Sequence, residues 1–534
     1  MKIEGAVNIR KNPKDNGACS KTLYQVILIQ ILGGVIKRTN MTGLVALQVI
    51  RERVVKSLCP VCNKVIDARI YQEGKRVMIM KKCEYHGEFK DIYWSDAELY
   101  RRFLHYLADG PGIESAHRGG DCPFNCGICE THKTATILAN IDVTNRCNLA
   151  CPICFADAGV GLDEPSMDQI RASIQLLRSQ RPVSCPAIQF SGGEPTLRED
   201  LPQIVKMAKQ MGFAQIQLAT NGVKLATSPE LCHALVQSGL STVYLQFDGV
   251  TPDPYKTMRG RDLLPIKLQA IENLRAAGQT SIVLVPTLAK GVNDDEVGDI
   301  VRFASNNLDI VKGINFQPVS FAGRIDQEKR LKQRITIPDL LMLLEEQTAG
   351  EITKDDFYPI PFVAPVSDLI AAVRGCPQPK LTMHPCCGAA TYVHIFGGRM
   401  MPITRFVDVE GLMEKVAERV QGFDRTLQGS LKVKGMILKD LPRFVDRAKA
   451  PWNLSIIKLL LSVFLNGTRE SLIEFHNNAL FIGAMHFQDL YNMDLERLQR
   501  CGIHYATPDG RIIPFCAYSI VHRFRTTDQE TQKY

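Results

Sequence analysis

The sequence predicts an α/β protein built around a partial (βα)6 barrel, with a small cysteine-rich module before it and an irregular domain after it. Two observations lead to this prediction. Residues 136–325 alternate six apolar strand segments with helical segments, and strands apolar on both faces belong to a parallel sheet covered by helices. The chain also has 17 cysteines, many at C-x2-C spacing and with no secretory signal, which indicates metal ligands rather than disulfides.

Length and charge limit the remaining possibilities. The 534 residues are enough for two to four domains. A net charge of +8 is mild for this length; it does not indicate a nucleic-acid partner and suits an anionic substrate or membrane surface. Residues 1–50 form a poorly specified extension, whose apolar run of about 14 residues is short for a membrane span. We expect a cytoplasmic protein. Any contact with a membrane is expected to be peripheral and at its inner face.

The first module, residues 51–98, carries two pairs of candidate ligands. Cys59 and Cys62 form a C-x2-C pair, and Cys83 and His86 follow an alternating segment with a central glycine turn, typical of a hairpin. Zinc ribbons and rubredoxin-like sites place their ligands on two such turns. The Cys3His set suits tetrahedral zinc, and mononuclear iron is the alternative.

The barrel segment, residues 136–325, has clear element boundaries. Ser166 with Gln169 three residues later forms a capping box, and Ser228 before Pro229 marks another helix start. The predicted strands are TILANIDV, PAIQFSGG, AQIQLATNG, TVYLQFDG, SIVLVPTL and GINFQPV. In barrels of this kind the chemistry lies at the carboxyl ends of the strands, so the polar residues there are the candidate site.

The spacing C-x3-C-x2-C occurs twice, and its context separates the two copies. The first triad lies in residues 99–135, before the barrel, and the second directly follows the first barrel strand. Three thiolates on a tight loop can hold three irons of a [4Fe-4S] cluster and leave the fourth iron open. The second triad therefore predicts a reactive iron at the barrel mouth. The triads are Cys122, Cys126 and Cys129, and Cys147, Cys151 and Cys154.

The ends of later strands supply further candidate ligands. The segment FSGGEP contains Gly192 and Gly193, which permit close backbone approach to a ligand, and Glu194, whose carboxylate can hold an ammonium group. The next polar strand ends suit ribose hydroxyls or a carboxylate. These are Thr220, Asn221, Gln246 and Asp248.

A cysteine triad one strand–helix unit before Gly-Gly-Glu resembles the radical S-adenosylmethionine (SAM) superfamily, over residues 136–325. The resemblance implies that the second triad holds a [4Fe-4S] cluster whose open iron binds SAM. It also implies that Gly192, Gly193 and Glu194 meet the SAM amine, with Thr220, Asn221, Gln246 and Asp248 nearby. Members of the superfamily cleave SAM reductively to a 5′-deoxyadenosyl radical, which removes hydrogen from an unactivated C–H bond, so the cofactor carries the difficult chemistry.

The flanking segments resemble a narrower group. SLCPVC, CPFNCGICETHK, HPCCGAATYV and RCGIHYATPDGRIIPFCAYS are similar to tetraether lipid synthase-like radical SAM proteins, from about residue 56 to 520. This resemblance implies a rubredoxin-like site, one or two auxiliary [4Fe-4S] clusters, and an auxiliary-cluster and substrate domain over residues 326–534. The implied auxiliary ligands are Cys122, Cys126, Cys129, Cys387, Cys501 and Cys516, with Cys386 as a competitor of Cys387.

Three functions follow from these observations. The resemblance implies an enzyme that joins sp3 carbons of lipid isoprenoid or alkyl chains, as in tetraether synthesis. The alternative is a radical SAM methylase acting on a pterin-type small molecule, and a compact polar pocket would favour it over a long apolar tunnel. Either enzyme needs an electron donor such as ferredoxin or flavodoxin. The third function is a non-enzymatic iron–sulfur electron-transfer or scaffold protein, against which Gly-Gly-Glu in the barrel argues.

The segment 451–467 is the one sequence feature that bears on the lipid interpretation. It is strongly apolar and follows a basic stretch. It lines a channel or lies on a membrane surface, or it is an ordinary core helix. The basic residues before it meet phosphate head groups, or they form a solvated face.

Overall fold

The computed structural model describes residues 52–114, 122–159, 164–421, 435, 439–451 and 478–523. The extension over residues 1–50 and the apolar segment 452–467 lie outside the described residues. In the described part of the chain, no helix is long and apolar enough to cross a membrane.

The N-terminal module is an antiparallel sheet of four strands in chain order. The predicted hairpin is confirmed, because the second and third strands pair directly and Gly74 turns between them with a φ of 59°. A short helix follows, and the Asp96 side chain accepts hydrogen bonds from the first-turn amides of Glu98 and Leu99. The elements are β1 (Arg53–Leu58), β2 (Val65–Glu73), β3 (Arg76–Cys83), β4 (Gly87–Trp94) and α1 (Ala97–Leu104).

The six predicted barrel strands form, and all of them pair in parallel in chain order. The strands are β5 (Leu138–Thr144), β6 (Ala187–Gly192), β7 (Gln215–Thr220), β8 (Thr242–Gln246), β9 (Ile282–Val285) and β11 (Val311–Pro318), with the two-residue β10 (Thr287–Leu288) beside β11. The connecting helices are α2 (Met167–Ser179), α3 (Leu201–Gln210), α4 (Val223–Thr227), α5 (Pro229–Gln237), α6 (Pro252–Arg259), α7 (Leu264–Ala276) and α8 (Val297–Ser305).

Local sequence explains these elements. Helix α2 begins at the predicted capping box, in which the Ser166 hydroxyl accepts from the Gln169 amide and the Gln169 side chain accepts from the Ser166 amide. Along β6 the side chains alternate. Ile188 and Phe190 pack in the core under the helices, and Gln189 and Ser191 face the barrel interior. This alternation gives the barrel a polar lining.

The C-terminal region extends the barrel, which the sequence analysis did not foresee. Strand β15 (Ala479–Met485) pairs in parallel with β11, and β16 (Ile503–Ala506) pairs in parallel with β5. Eight parallel strands therefore lie side by side, in the order β15-β11-β9-β8-β7-β6-β5-β16. The open edges of a six-stranded sheet carry unpaired N–H and C=O groups, which the two added strands satisfy. Because these strands are far from their partners along the chain, no local pattern announces the pairing.

The remaining elements surround this sheet. The strands are β12 (Tyr358–Pro359), β13 (Gly388–Phe396), β14 (Arg399–Pro402), β15 (Ala479–Met485), β16 (Ile503–Ala506) and β17 (Ile512–Pro514). The helices are α9 (Arg330–Gln333), α10 (Ile337–Gln347), α11 (Ala364–Arg374), α12 (Val409–Val420), α13 (Leu495–Gln499) and α14 (Phe515–Ala517), followed by a π-helix over Tyr518–His522. Helices α11 and α12 and neighbouring residues form a second hydrophobic cluster, which also contains Ala187 of β6.

A buried ion-pair network fixes the N-terminal module to the barrel. Arg334 donates to Asp489 at 2.7 Å and to Asp91 of β4 at 2.9 Å, and all three side chains are at most 1% exposed. Burial by itself raises the pKa of Asp489, but Arg334 overrides it and holds this pKa at about 2. The network joins β4 to the loop after β15.

Arg334→Met should destabilise the protein by about 3–5 kcal/mol, because the buried Asp489 loses its counter-charge and Asp91 keeps only Arg330. The Asp489 contribution is complete above the ordinary aspartate pKa of 3.8 and disappears as the pH falls through about 2. The free energies of unfolding of the variant and wild type, measured with urea, should therefore become more similar as the pH is lowered from 3.8 to about 2. Arg302→Met is the matched control, because the Arg302–Asp299 pair is about half exposed and should contribute less than about 1 kcal/mol. Equal losses in the two variants would contradict the network's role.

Candidate active site

The carboxyl ends of the strands surround a cavity of about 330 Å³. Each of the eight parallel strands contributes at least one residue to its wall, so the two C-terminal strands are part of the site. Cys147, Cys151 and Cys154, on the loop after β5, also line this cavity. The structure therefore brings the second triad to the barrel mouth, where the sequence places it.

The cysteine loop and the Gly-Gly-Glu segment are joined by backbone contacts. The Gly193 amide donates to the Thr144 carbonyl at 2.9 Å, and the Glu194 amide donates to the Arg146 carbonyl at 2.8 Å. A Cβ atom at Gly192 would lie 2.0 Å from the Thr144 oxygen, and one at Gly193 would lie 2.2 Å from the Arg146 oxygen. Both positions therefore require glycine, since these contacts are with backbone. We call this contact the glycine clamp.

Glu194 is 1% exposed and lies behind the cavity wall. Its Oε1 accepts hydrogen bonds from the Thr196 amide, the Thr196 hydroxyl and the Thr220 hydroxyl, the last at 2.7 Å. Its Oε2 accepts from the Asn221 amide at 2.7 Å. The carboxylate thus ties the end of β6 to the end of β7, and Oε2 retains capacity for a further donor. Of the other predicted residues, Gly192, Gly193, Thr220, Asn221 and Gln246 line the cavity.

Asp248 differs from the prediction that it contacts the ligand. It is fully buried and forms a two-bond ion pair with Arg259, at 2.7 and 2.8 Å. Arg259 in turn donates to the Ile153 carbonyl at 3.2 Å and interacts with the Cys151 thiol. The aspartate therefore supports the cysteine loop through the arginine. No local sequence pattern predicts this ion pair, because Arg259 lies on the helix after the strand.

Lys267 is a buried residue of the site that the sequence analysis missed. Its ammonium group donates to the Asn221 carbonyl and to Gln246 Oε1, both at 2.5 Å. Desolvation lowers its pKa to about 7. A signal did exist: Lys267 shares one helical face with buried residues Ala270, Ile271 and Leu274 of α7. A lysine on an apolar stripe calls for a buried partner.

The first triad lies beside the C-terminal cysteines. The triad and the segment after it run along residues 499–512, with the Ile128 amide donating to the Ile512 carbonyl at 2.9 Å and the Lys133 amide to the Gln499 carbonyl at 2.7 Å. The Cys122 thiol and burial raise the pKa of Cys126, and Cys501 adds to this rise. Burial raises the pKa of Cys516 to about 12, and Cys387 adds to it. Predicted auxiliary ligands from distant parts of the chain therefore meet in one region.

The structure also distinguishes the adjacent cysteines. Cys386 is fully buried and packs in the main hydrophobic core, whereas Cys387 is partly exposed and interacts with Arg497. Nδ1 of His384 accepts from the Cys386 amide at 3.2 Å and caps the short turn there. Cys387 is thus better placed than Cys386 to be a ligand.

The four predicted ligands of the N-terminal module converge. The donor atoms of Cys59, Cys62, Cys83 and His86 all lie within 4.8 Å of one another. The Cys62 and Cys83 sulfurs are 3.9 Å apart, and Cys59 Sγ is 3.8 Å from His86 Nδ1. A tetrahedral ion with zinc–sulfur bonds of about 2.3 Å needs sulfur atoms about 3.8 Å apart. The residues fit a single metal ion.

Comparisons with known proteins agree with this arrangement. Residues 141–304 match the model of the radical SAM superfamily, and residues 52–95 match the HMPTM N-terminal zinc ribbon domain. A 7,8-dihydro-6-hydroxymethylpterin dimethyltransferase of Methanocaldococcus jannaschii is 51% identical over 479 residues, which cover 88% of this chain and 94% of the relative. The chain belongs to the radical SAM superfamily, in the family of this relative. It is a radical SAM enzyme, and its cofactors are SAM, a [4Fe-4S] cluster and a metal ion in the zinc ribbon.

More distant radical SAM relatives match only part of this enzyme. A probable GTP 3′,8-cyclase of Methanothermobacter marburgensis is 30% identical over 176 residues, covering 33% of this chain and 56% of the relative. A GTP 3′,8-cyclase of Listeria monocytogenes is 31% identical over a segment that covers 36% of this chain and 57% of the relative. The solved structure of Streptococcus suis SuiB bound to S-adenosylmethionine overlaps with a TM-score of 0.34 at 14% identity, over 41% of this chain and 48% of that one.

The family contradicts one expectation of the sequence analysis. We expected C–C bond formation between lipid chains, whereas the near full-length relative of this radical SAM enzyme is a pterin dimethyltransferase. The lipid prediction is therefore wrong on this comparison, and the expected membrane contact has no support. The motifs behind the resemblance are cysteine and glycine patterns typical of cofactor sites, and such motifs do not report the substrate.

The glycine clamp predicts that one added methyl group at Gly193 greatly reduces SAM cleavage. Gly193→Ala should lower SAM cleavage by about 100-fold, because the cysteine loop must move away from β6 and a displacement of about 1 Å costs that much. The measurement is 5′-deoxyadenosine formation by reconstituted protein. Gly159→Ala is the control, since a Cβ atom there meets nothing within 4 Å. Full activity of the Gly193 variant would refute the clamp.

Proposed function

We propose that the protein is a radical SAM methyltransferase acting on a pterin-type heterocycle. The observation that carries the proposal is the 51% identity to a pterin dimethyltransferase over 94% of that relative. The cavity supports it, because it is compact, at about 330 Å³, and amide side chains such as Asn140, Gln189 and Asn315 lie in its wall. Cavities of this size and mixed polarity suit small-molecule ligands.

Cys147, Cys151 and Cys154 are proposed to hold the SAM-binding cluster. When bound, the cluster and SAM supply a 5′-deoxyadenosyl radical that removes a hydrogen atom from a substrate C–H bond. The chain's own residues hold the loop for this step. Arg259 interacts with Cys151, and the Arg324 amide donates to the Cys154 carbonyl at 3.0 Å. Both contacts fix the thiols at the barrel mouth.

The cavity wall near the glycine clamp is proposed to bind SAM. Glu194 Oε2 is available to an ammonium group close to Gly192 and Gly193. Thr220, Asn221 and Gln246 provide polar groups along the same wall. Two buried residues position this wall from behind: Lys267 donates to the Asn221 carbonyl and to Gln246 Oε1, and Asp248 accepts from Gln246 Nε2.

The other cysteines are proposed to hold auxiliary clusters, supported by the proximity of the first triad to Cys501 and of Cys387 to Cys516. The zinc ribbon is proposed to brace the substrate cavity. The Ser57 hydroxyl donates to the Met493 carbonyl at 2.6 Å, and Tyr93 donates to Asp494 at 2.8 Å. The loop that receives these bonds follows Phe487, which lies in the cavity wall. A reductant such as ferredoxin or flavodoxin stays a prediction.

Hydrogen transfer from the substrate tests the proposal without requiring the methyl donor. The reconstituted enzyme would be incubated with SAM, dithionite and 7,8-dihydro-6-hydroxymethylpterin deuterated at its two CH2 groups. We expect deuterium in the 5′-deoxyadenosine, measured by mass spectrometry, because the radical removes a hydrogen atom from the pterin. Robust SAM cleavage with no deuterium in the 5′-deoxyadenosine would overturn the proposed substrate.

The two triads should respond differently to mutation. Cys147→Ala should abolish SAM cleavage, because a cluster at the barrel mouth loses a ligand. Cys126→Ala should retain part of the cleavage but stop product formation, since its triad lies outside the cavity wall. SAM cleavage can be measured as 5′-deoxyadenosine, and product formation as methylated pterin by mass spectrometry with a methyl donor present. Equal loss of cleavage in the two variants would contradict the assignment.

A further inference from the structure

Three amide side chains lie at one level on the inner face of the barrel. Asn140 of β5 is in register with Gln189 of β6, and Gln189 is in register with Gln217 of β7. Asn140 is 1% exposed, Gln217 is 8% exposed, and Gln189 is partly buried. Asn140 and Gln189 line the cavity. We call these three residues the amide row.

The amide row leaves buried hydrogen-bonding capacity. Gln189 Nε2 donates to Asn140 Oδ1 at 2.8 Å. Asn140 Nδ2, Gln189 Oε1 and Gln217 Oε1 are then buried with no hydrogen-bond partner among the described residues. Each such atom costs about 1–3 kcal/mol, and native proteins leave few of them. A concentration of three in neighbouring strands indicates a ligand that satisfies them.

A neighbouring amide shows that the barrel can satisfy such groups by itself. Gln215 lies two residues before Gln217 on the same strand, so its side chain is on the same face. Its Nε2 donates to the Thr242 hydroxyl at 2.8 Å. Gln215 therefore needs no ligand to satisfy its amide group, whereas the three residues of the amide row keep unpartnered atoms.

From β5 to β7, the amide row presents one unpartnered N–H donor, on Asn140, and then two unpartnered carbonyl acceptors, on Gln189 and Gln217. A 2-amino-4-oxo heterocycle presents the complementary order on one edge: the C4 carbonyl, the N3–H and the 2-amino group. We propose that the amide row binds this edge of the substrate. Asn140 Nδ2 donates to the C4 carbonyl, and Gln189 Oε1 and Gln217 Oε1 accept from N3–H and the 2-amino group. This inference rests on the proposed function and makes the row the determinant of specificity.

The wall beside the row suits the face of a planar ring. Tyr505 of β16 is in register with Asn140 and packs on Phe515, with ring centroids 5.3 Å apart. Phe515 stacks on Phe487 at 4.2 Å with an interplanar angle of 22°. All three aromatic side chains line the cavity. The row therefore lies next to a continuous aromatic surface, which favours a flat heteroaromatic ligand.

Ligand binding by the anaerobically reconstituted, SAM-loaded holoprotein tests the row. Isothermal titration calorimetry would compare 7,8-dihydro-6-hydroxymethylpterin with its 2,4-dioxo analogue, which replaces the 2-amino group by an oxygen. Wild type should prefer the pterin by at least about tenfold, because the dioxo analogue places an oxygen against a buried acceptor. Asn140→Leu and Gln189→Leu should each weaken pterin binding at least about tenfold, and Gln217→Leu should reduce the preference, because Gln217 is the acceptor that faces the 2-amino group.

Two further variants keep the test decisive. Gln215→Leu, on the same face and outside the row, should bind both compounds as wild type does. Asn140→Asp keeps the side-chain shape but replaces the N–H donor by an oxygen that faces the C4 carbonyl. Its affinity for the pterin should therefore also fall about tenfold. This variant replaces the leucine variants in the test if they do not fold. If the folded variants of the amide row bind the pterin as tightly as wild type does, with the same preference over the dioxo analogue, the role of the row is overturned. The proposed function would be unaffected by that result. Failure of wild type to bind or deuterate from the pterin would instead overturn the proposed function.

Discussion

The end of β6 meets the start of the cysteine loop through backbone atoms alone, and the site depends on this glycine clamp. Two hydrogen bonds join Gly193 and Glu194 to the carbonyls of Thr144 and Arg146. No side chain fits between the two segments, because a Cβ atom at either glycine would overlap a carbonyl oxygen. The clamp sets where the thiols of the second triad lie relative to Glu194. The proposed sites of the cluster and SAM share one cavity, and this requires both segments to keep the contact.

Charged groups support the clamp from behind the wall. Asp248 and Arg259 form a buried ion pair, and the arginine reaches the loop at Ile153. Lys267 connects the ends of β7 and β8 through Asn221 and Gln246. Burying these charges is costly unless each is paired and hydrogen-bonded. Asp248 and Arg259 are paired with each other, and Lys267 donates to two oxygen acceptors, which favours rigid positioning of the wall.

The substrate side of the cavity is built from remote segments. Strands β15 and β16 satisfy the two edges of the six-stranded core and bring Met485 and Tyr505 into the wall. The zinc ribbon and Arg334 hold the loop after β15. Under the proposed function, substrate choice depends on parts of the chain that carry no superfamily motif. This explains why cofactor motifs led the sequence analysis to the right chemistry and to a substrate that the curated relative contradicts.

The sequence by itself determined the strand–helix alternation of the barrel, the hairpin of the zinc ribbon and the capping box at Ser166, because each is a local pattern of a few neighbouring residues. It also separated the two triads, since only one follows a barrel strand. The tertiary structure decided the eight-strand order, the ion pair of Asp248, the burial of Lys267 and the level of Asn140, Gln189 and Gln217 in the barrel. These features arise from pairing between distant segments, where register and burial, and not local periodicity, fix which side chains meet.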